Sequence, residues 1–395
     1  MARAVIRPPR LRTRDDDAGG RHATWLETFF DLIFVVAVTE LASGLDAHLA
    51  AGRAVMPPAL VGFAALFVPV WWAWVGTTFY ADRFDTDDLA QRLLTFVQIC
   101  AVAALAFNVR DAFGATAVGF ALSYVAVRAV LVLGYLRAGR SVVAARPLTT
   151  RYARGFGLAG ALWLLSVAVP PPGRFLLWAV GLALDIGTGL FAGRLHARLA
   201  PDAAHLPERF AQFTLIALGE SVAAVVAGIP ATGWTISSAL SALLGLALAF
   251  GLWWLYFDHV DGAPIRDELE AGHVAVYQVW LYAHLPLVVG LVAASVGVQR
   301  VVAGRGAVVA GGDRWLVCGS VALCLVALGV IARATMTPTA GRRGRAWAAG
   351  RVAAAALVAL IGVVGARLPP VALVGAVALV CALTVGLEVG ATAPP

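Results

Sequence analysis

The sequence predicts an all-α fold: a polytopic transmembrane helical bundle of about 12 spans, arranged as two parallel six-helix repeats. Three observations predict it. Of 395 residues, 61% are hydrophobic and 13% are charged, more apolar surface than a soluble domain of this length needs. The apolar residues gather in unbroken runs near the roughly 20 residues that cross a bilayer as helix, where barrel strands would alternate. The positive charge is carried by 30 arginines and no lysine, and they crowd into alternate loops.

The runs fall at 24–45, 58–80, 89–107, 112–136, 154–169, 174–193, 208–228, 233–257, 274–297, 315–333, 347–366 and 368–390. The fifth is short and ends at Pro170-Pro171-Pro172, and the last two are joined by a tight turn around Arg367, Pro369 and Pro370. With the N-terminus inside, the inner loops and flanks hold 22 arginines and the outer loops seven, with Arg128 inside the fourth run. That bias puts both termini in the cytoplasm. Residues 1–23 mix arginines with Asp15, Asp16 and Asp17 and lack an apolar core, so they read as a disordered cytoplasmic tail rather than a signal peptide. Cys100, Cys318, Cys324 and Cys381 lie inside predicted spans without Cys-x-x-Cys spacing and suggest neither a disulfide framework nor a metal site.

The two halves correspond. Glu27-Thr28-Phe29 recurs as Glu208-Arg209-Phe210; Trp71-Trp72 with Tyr80 and Asp82 recurs as Trp253-Trp254 with Tyr256 and Asp258. Asp88 and Gln98 match Glu268 and Gln278. The expected organisation is a first six-helix repeat over 24–193, a cytoplasmic linker over 194–207, a second repeat over 208–390 and a short tail over 391–395. An even number of helices per half makes such repeats parallel.

Charge inside the spans is where function is expected. A carboxylate at membrane depth costs at least about 2.5–3.5 kcal/mol on insertion scales, yet the first span holds Glu27, Asp31 and Glu40. Counted from the nearer cytoplasmic end, Asp31 sits about seven residues in, Arg128 about eight and Asp185 about nine. Gln98, Gln278 and His284 fall at a similar level, and Glu220 lies further out with Glu40. One buried polar layer is the expectation, with Arg128 paired to Asp31 or Asp185. Its acids outnumber its cations, which calls for a bound proton or cation. Spans five, ten, eleven and twelve contribute almost no charge to it.

Asp82-Arg83-Phe84-Asp85-Thr86-Asp87-Asp88 follows the second span. Helix capping at Asp87 and Asp88 is the preferred reading. The other is a cation site, with Asp82, Asp85, Asp87 and Asp88 as oxygen ligands for Mg²⁺. In the second half Asp258, His259, Asp261, Asp267, Glu268 and Glu270 form a comparable acidic rim. Trp71, Trp72 and Trp74 read either as part of an interfacial belt or as the wall of a pocket.

Glu27 to Phe34, Asp82 to Asp88, and Glu208-Arg209-Phe210 with Leu218-Gly219-Glu220-Ser221 together resemble the bacterial low-temperature-requirement A (LtrA) family of membrane proteins. The resemblance implies a multi-span inner-membrane protein and no defined activity. Two functions are therefore expected. The first is a channel or transporter for a cation or small solute, with Asp31, Glu40 and Glu220 as ion or proton sites and Arg128–Asp185 as an adjustable pair. Glu27, Gln98, Glu208, Arg209, Gln278 and His284 complete its polar core. The alternative is a Mg²⁺-dependent intramembrane enzyme acting on a lipid or isoprenoid diphosphate, with the aspartates after span two gripping the metal. Expected partners are the bilayer, a small ion or solute, and further copies of the chain, with no nucleic acid. The only cofactors in view are Mg²⁺ and a monovalent cation.

Overall fold

The computed structural model describes residues 7–11, 23–50, 56–85, 88–193, 195, 205–229, 235–258, 265, 272–304, 306–335 and 341–392. Among these, twelve long helices carry the fold. They are α1 Trp25–Ala50, α2 Met56–Arg83, α3 Leu89–Val109, α4 Ala117–Ser141, α5 Arg146–Ser166, α6 Gly173–Leu190, α7 His205–Gly228, α8 Ile236–Phe257, α9 Val274–Ala303, α10 Gly311–Ala334, α11 Gly341–Val364 and α12 Pro370–Thr392. Eleven are long and apolar enough to cross a membrane. The protein is a multi-pass, all-helical membrane protein.

The exception is α5. Its predicted apolar run starts at residue 154, but the helix begins at Arg146 and takes in Arg146, Arg151 and Arg154. The early start has a physical reason. Leu148, Thr149, Tyr152 and Ala153 are buried along the first turns, so packing rewards helix where hydropathy alone reads a loop. Pro147 sits in the first turn, where its missing N–H costs nothing. In α4 the opposite happens: Asp111 accepts the Ala115 N–H at 2.9 Å, forming a turn that delays the helix to Ala117.

The chain forms two compact units. The first comprises Met1–Gly44, Gly62–Arg209 and Leu269–Val274; the second comprises Leu45–Val61, Phe210–Glu268 and Ala275–Pro395. In the first, α3 packs on α4, α4 on α5 and α5 on α6. Its core is aromatic. Tyr80, Phe84, Tyr135, Tyr152 and Phe156 cluster together, with Tyr135 stacked on Tyr152 at 5.0 Å and Trp163 on Trp178 at 4.9 Å. Trp71, Trp72 and Trp74 are buried in it rather than forming an interfacial belt. Their counterparts Trp253 and Trp254 are partly exposed on α8, so the matched pairs occupy different environments.

In the second unit α10 packs on α11, α11 on α12 and α12 on α8. Glycine sets the approach of α9 to α10: a Cβ at Gly290 would lie 2.7 Å from Cys324 Sγ, and one at Gly297 would lie 2.9 Å from Val317. Close helix approach through small residues is how membrane bundles pack without a hydrophobic driving force between helices. The outward faces carry exposed Leu93, Phe96, Leu158, Leu176, Leu243 and Leu383, as a lipid-facing surface requires.

Two short strands interrupt the all-helical plan. Arg10–Leu11 pairs antiparallel with Phe84–Asp85. Part of the tail expected to be disordered is thus bound to the chain just past α2, while residues 12–22 lie outside the described ones. The expected linker gives up His205, Leu206 and Pro207 to the first turn of α7.

Candidate functional site

Within the first unit, α1 and the opening turn of α7, which lies in this unit through Arg209, each present polar side chains one turn apart. On α1 these are Glu27 and Asp31; on α7 they are His205 and Arg209. A spacing of four residues stacks side chains on one helix face, so the two pairs meet as two rungs. In the deeper rung Arg209 Nη2 donates to Asp31 Oδ1 at 2.8 Å, and Trp74 Nε1 from α2 donates to the same oxygen at 2.9 Å. In the other, His205 Nδ1 faces Asp82 Oδ1 at 3.0 Å and Nε2 faces Glu27 Oε2 at 3.4 Å. Both ring nitrogens face carboxylates, and an imidazole donates from both only when it is doubly protonated.

Asp31, Asp82, His205 and Arg209 are all buried, and Glu27 is half-buried. Glu27 Oε2 also accepts the Thr24 N–H at 2.7 Å, while the Glu27 N–H donates to Thr24 Oγ1. This reciprocal cap starts α1. The deeper rung is incompletely satisfied. Asp31 Oδ2, Arg209 Nε and Arg209 Nη1 have no hydrogen-bond partner among the described residues. Buried polar groups are normally paired, so this rung carries one acceptor and two donors beyond those that the described residues use.

A second knot lies on α4 and α6. Arg128 Nε stands 2.8 Å from Asp185 Oδ2, the Tyr124 hydroxyl donates to that same oxygen, and Arg128 Nη2 donates to the Tyr124 oxygen at 2.7 Å. The guanidinium lies over the Tyr124 ring at 4.7 Å and the Phe156 ring at 5.4 Å. It needs room that only glycine leaves: a Cβ at Gly76 of α2 would lie 2.9 Å from Arg128 Nη1. Here too Asp185 Oδ1 and Arg128 Nη1 lack hydrogen-bond partners among the described residues.

Residues 22–385, nearly the whole chain, match the family model described as "Bacterial low temperature requirement A protein (LtrA)". The chain belongs to the LtrA family. It is also 28% identical over 308 residues to an uncharacterised protein of Rhizobium meliloti (strain 1021), covering 72% of this chain and 70% of that one. No solved structure matches it.

In this LtrA chain the buried charges of the first unit pair locally. Arg128 takes Asp185 as its carboxylate, and Asp31 takes Arg209. Gln98 Nε2 donates to Thr77 Oγ1 at 3.1 Å, and Glu208 accepts the Ala23 N–H at 3.2 Å. Glu40 is half-buried on α1. In the second unit His284 forms its own knot, 3.0 Å from the Tyr256 hydroxyl and 2.8 Å from the Trp280 carbonyl. Glu220 and Gln278 are half-buried there. One residue of the rungs escaped sequence reasoning, His205, and Trp74 was read as a pocket wall without its bond to Asp31. The one available signal was His205 standing four residues before Arg209, the spacing of Glu27 and Asp31. The last spans are also not free of charge: Arg351 on α11 forms a buried bidentate pair with Glu388 on α12.

The proposed cation ligands after α2 are engaged differently. Asp82 faces His205, and Asp88 caps α3 by accepting the Gln91 N–H at 2.9 Å. Asp87 and the side chain of Asp85 lie outside the described residues, as do 259–264 and 266–271 of the second acidic rim. Among the described residues, no group of three or more His, Cys, Asp or Glu is arranged to hold a metal ion.

Asp88 Oδ2 meanwhile accepts the Arg7 N–H at 2.9 Å and Arg137 Nη2 at 2.6 Å, and Arg137 Nη2 also reaches the Arg7 carbonyl. Burial pushes the Asp88 carboxyl up, but the Arg7 and Gln91 amides and the Arg137 guanidinium outweigh it and hold the group below the usual carboxylate range. Because its folded value is depressed, its contribution is present at neutral pH and is lost as pH falls through that depressed value. Asp88→Asn should therefore speed amide exchange at Arg10 and Leu11 at neutral pH, measured by hydrogen–deuterium exchange. The difference from wild type should vanish in acid. Equal protection at neutral pH would show that Asp88 does not hold the strand.

Proposed function

We propose that this LtrA-family chain moves a cation or small solute across the bacterial inner membrane in exchange with protons, with Asp31 as the exchanging carboxylate. The observation that carries the reading is the unfinished rung: a carboxylate and a guanidinium, buried inside a membrane helix bundle, with three polar atoms that no described residue bonds. Asp31 Oδ2 can take a proton or a cation without disturbing the two bonds made by Oδ1. Protonation weakens the hold on Arg209, whose open N–H groups then seek another acceptor. Glu27, His205 and Asp82, one turn away, offer an imidazole between two carboxylates as the next proton station. The arginine bias supports cytoplasmic termini, with this end of α1 on the inner side. The recurring Glu-x-Phe, Trp-Trp and acid–Gln pairs support a duplicated six-helix unit. Asp82 faces His205 and Asp88 faces Arg137, so both carboxylates have partners within the chain itself.

Purified protein in proteoliposomes containing a pH-sensitive dye tests this. An imposed proton, sodium or potassium gradient should produce dye responses that protein-free vesicles do not show. Responses equal to those of protein-free vesicles under all three gradients would remove cation and proton movement as the function.

A further inference from the structure

The arginines that set α5 apart from the other spans lie on a single face. Taking about 100° per residue, Pro147, Thr150, Arg151, Arg154, Leu158, Ala161 and Leu165 fall within roughly 60° of Arg154. Arg146, Pro147, Thr150, Arg151 and Arg154 line an open surface pocket of about 520 Å³. From Arg137 to Arg154 the chain holds five arginines and no carboxylate, and of these only Arg137 has an acidic partner among the described residues. Arg146 and Arg151 each spend Nε on a backbone carbonyl, of Gly139 and Thr188, which fixes their guanidinium groups beside the pocket. Arg154 is exposed and makes no hydrogen bond among the described residues.

Beyond Arg154 the same face turns apolar and stays outward: Leu158 is 57% exposed and Leu165 55%. The rise from Arg154 to Leu165 is about 16 Å, close to half of a hydrocarbon core roughly 30 Å thick. A cationic pocket continuing into an apolar strip of one-leaflet length matches a phospholipid, headgroup first and acyl chain after. Free phosphate would use the pocket and leave the strip idle.

We propose that α5 carries a binding site for one anionic phospholipid, its phosphate among Arg146, Arg151 and Arg154 and an acyl chain along Leu158, Ala161 and Leu165. The site stands on charge and shape alone and does not depend on the transport reading.

Native mass spectrometry of the full chain, titrated with phosphatidylglycerol, tests it. Wild type should retain at least one phosphatidylglycerol that Arg146→Gln/Arg151→Gln/Arg154→Gln releases, with affinity lower by on the order of a hundredfold. Arg154→Gln alone, which removes no hydrogen bond among the described residues, should lose about fivefold and serves if the triple variant does not fold. Arg333→Gln, an exposed arginine elsewhere, should bind as wild type. Undiminished binding by Arg154→Gln, or an equal loss in Arg333→Gln, overturns the site. Displacement of the lipid by millimolar inorganic phosphate would reassign the pocket to a free anion.

Discussion

Asp31→Asn should reduce gradient-driven flux in proteoliposomes to that of protein-free vesicles. The amide keeps an oxygen that can still accept from Trp74 Nε1 and Arg209 Nη2, so the packing around residue 31 survives. What it loses is the charge, and with it both proton exchange and the counter-ion of Arg209. An arginine that is 1% exposed is then left without a compensating charge, a change that costs about 3–5 kcal/mol where buried pairs have been broken. Lost flux alone would therefore not separate an exchanging carboxylate from a structural one. Asp31→Asn/Arg209→Gln makes that separation. Removing both charges should restore most of the stability, because no unpaired ion remains, while flux stays absent because nothing titrates. Thermal midpoints in detergent and dye-reported flux measure the two effects on the same preparation. Recovery of flux together with stability in the double variant would make the Asp31–Arg209 rung a structural pair.

Much of the helix plan was legible because its cause is local. A run of apolar residues about 20 long has few alternatives to a buried or lipid-facing helix, and each of the twelve predicted spans overlaps a helix of the structure. The start of α5 was not legible, because the burial of Leu148 and Tyr152 against neighbouring helices outweighs the arginines between them. Asp31 stood out because charge inside an apolar run is costly wherever the helix packs. Its partner did not stand out. Choosing Arg209 over Arg128 needs the opening turn of α7 beside Asp31, which no single-helix pattern contains. His205 was read as linker because Leu206 and Pro207 part it from the apolar run, although its four-residue spacing to Arg209 repeats that of Glu27 and Asp31. Arg351 counted as one more inner-flank arginine, and Glu388 was not singled out. Their 37-residue separation hides a pairing that only the fold reveals.

That pair yields the second large effect, and it should be one of stability alone. Arg351 Nε donates to Glu388 Oε1 and Nη2 to Oε2, both at 2.8 Å, while Nη1 donates to the Leu328 carbonyl at 3.1 Å. The two ions satisfy each other through parallel bonds, and the remaining arm ties α10 to α11. Arg351→Met leaves Glu388, which is 5% exposed, as an unpaired buried carboxylate and should cost about 3–5 kcal/mol. Glu388→Gln should cost less, since the amide still accepts one guanidinium bond. Arg351→Met/Glu388→Leu should recover most of the loss, because apolar side chains of similar volume often replace a buried ion pair without penalty. Denaturant midpoints read by tryptophan fluorescence measure all three. The contrast with Asp31–Arg209 is the point of the comparison. A pair with all its arms engaged has nothing left to exchange, so the Arg351→Met/Glu388→Leu protein, once folded, should support flux per molecule equal to wild type. Loss of flux in that variant at recovered stability would move the working charges of the protein into its second unit.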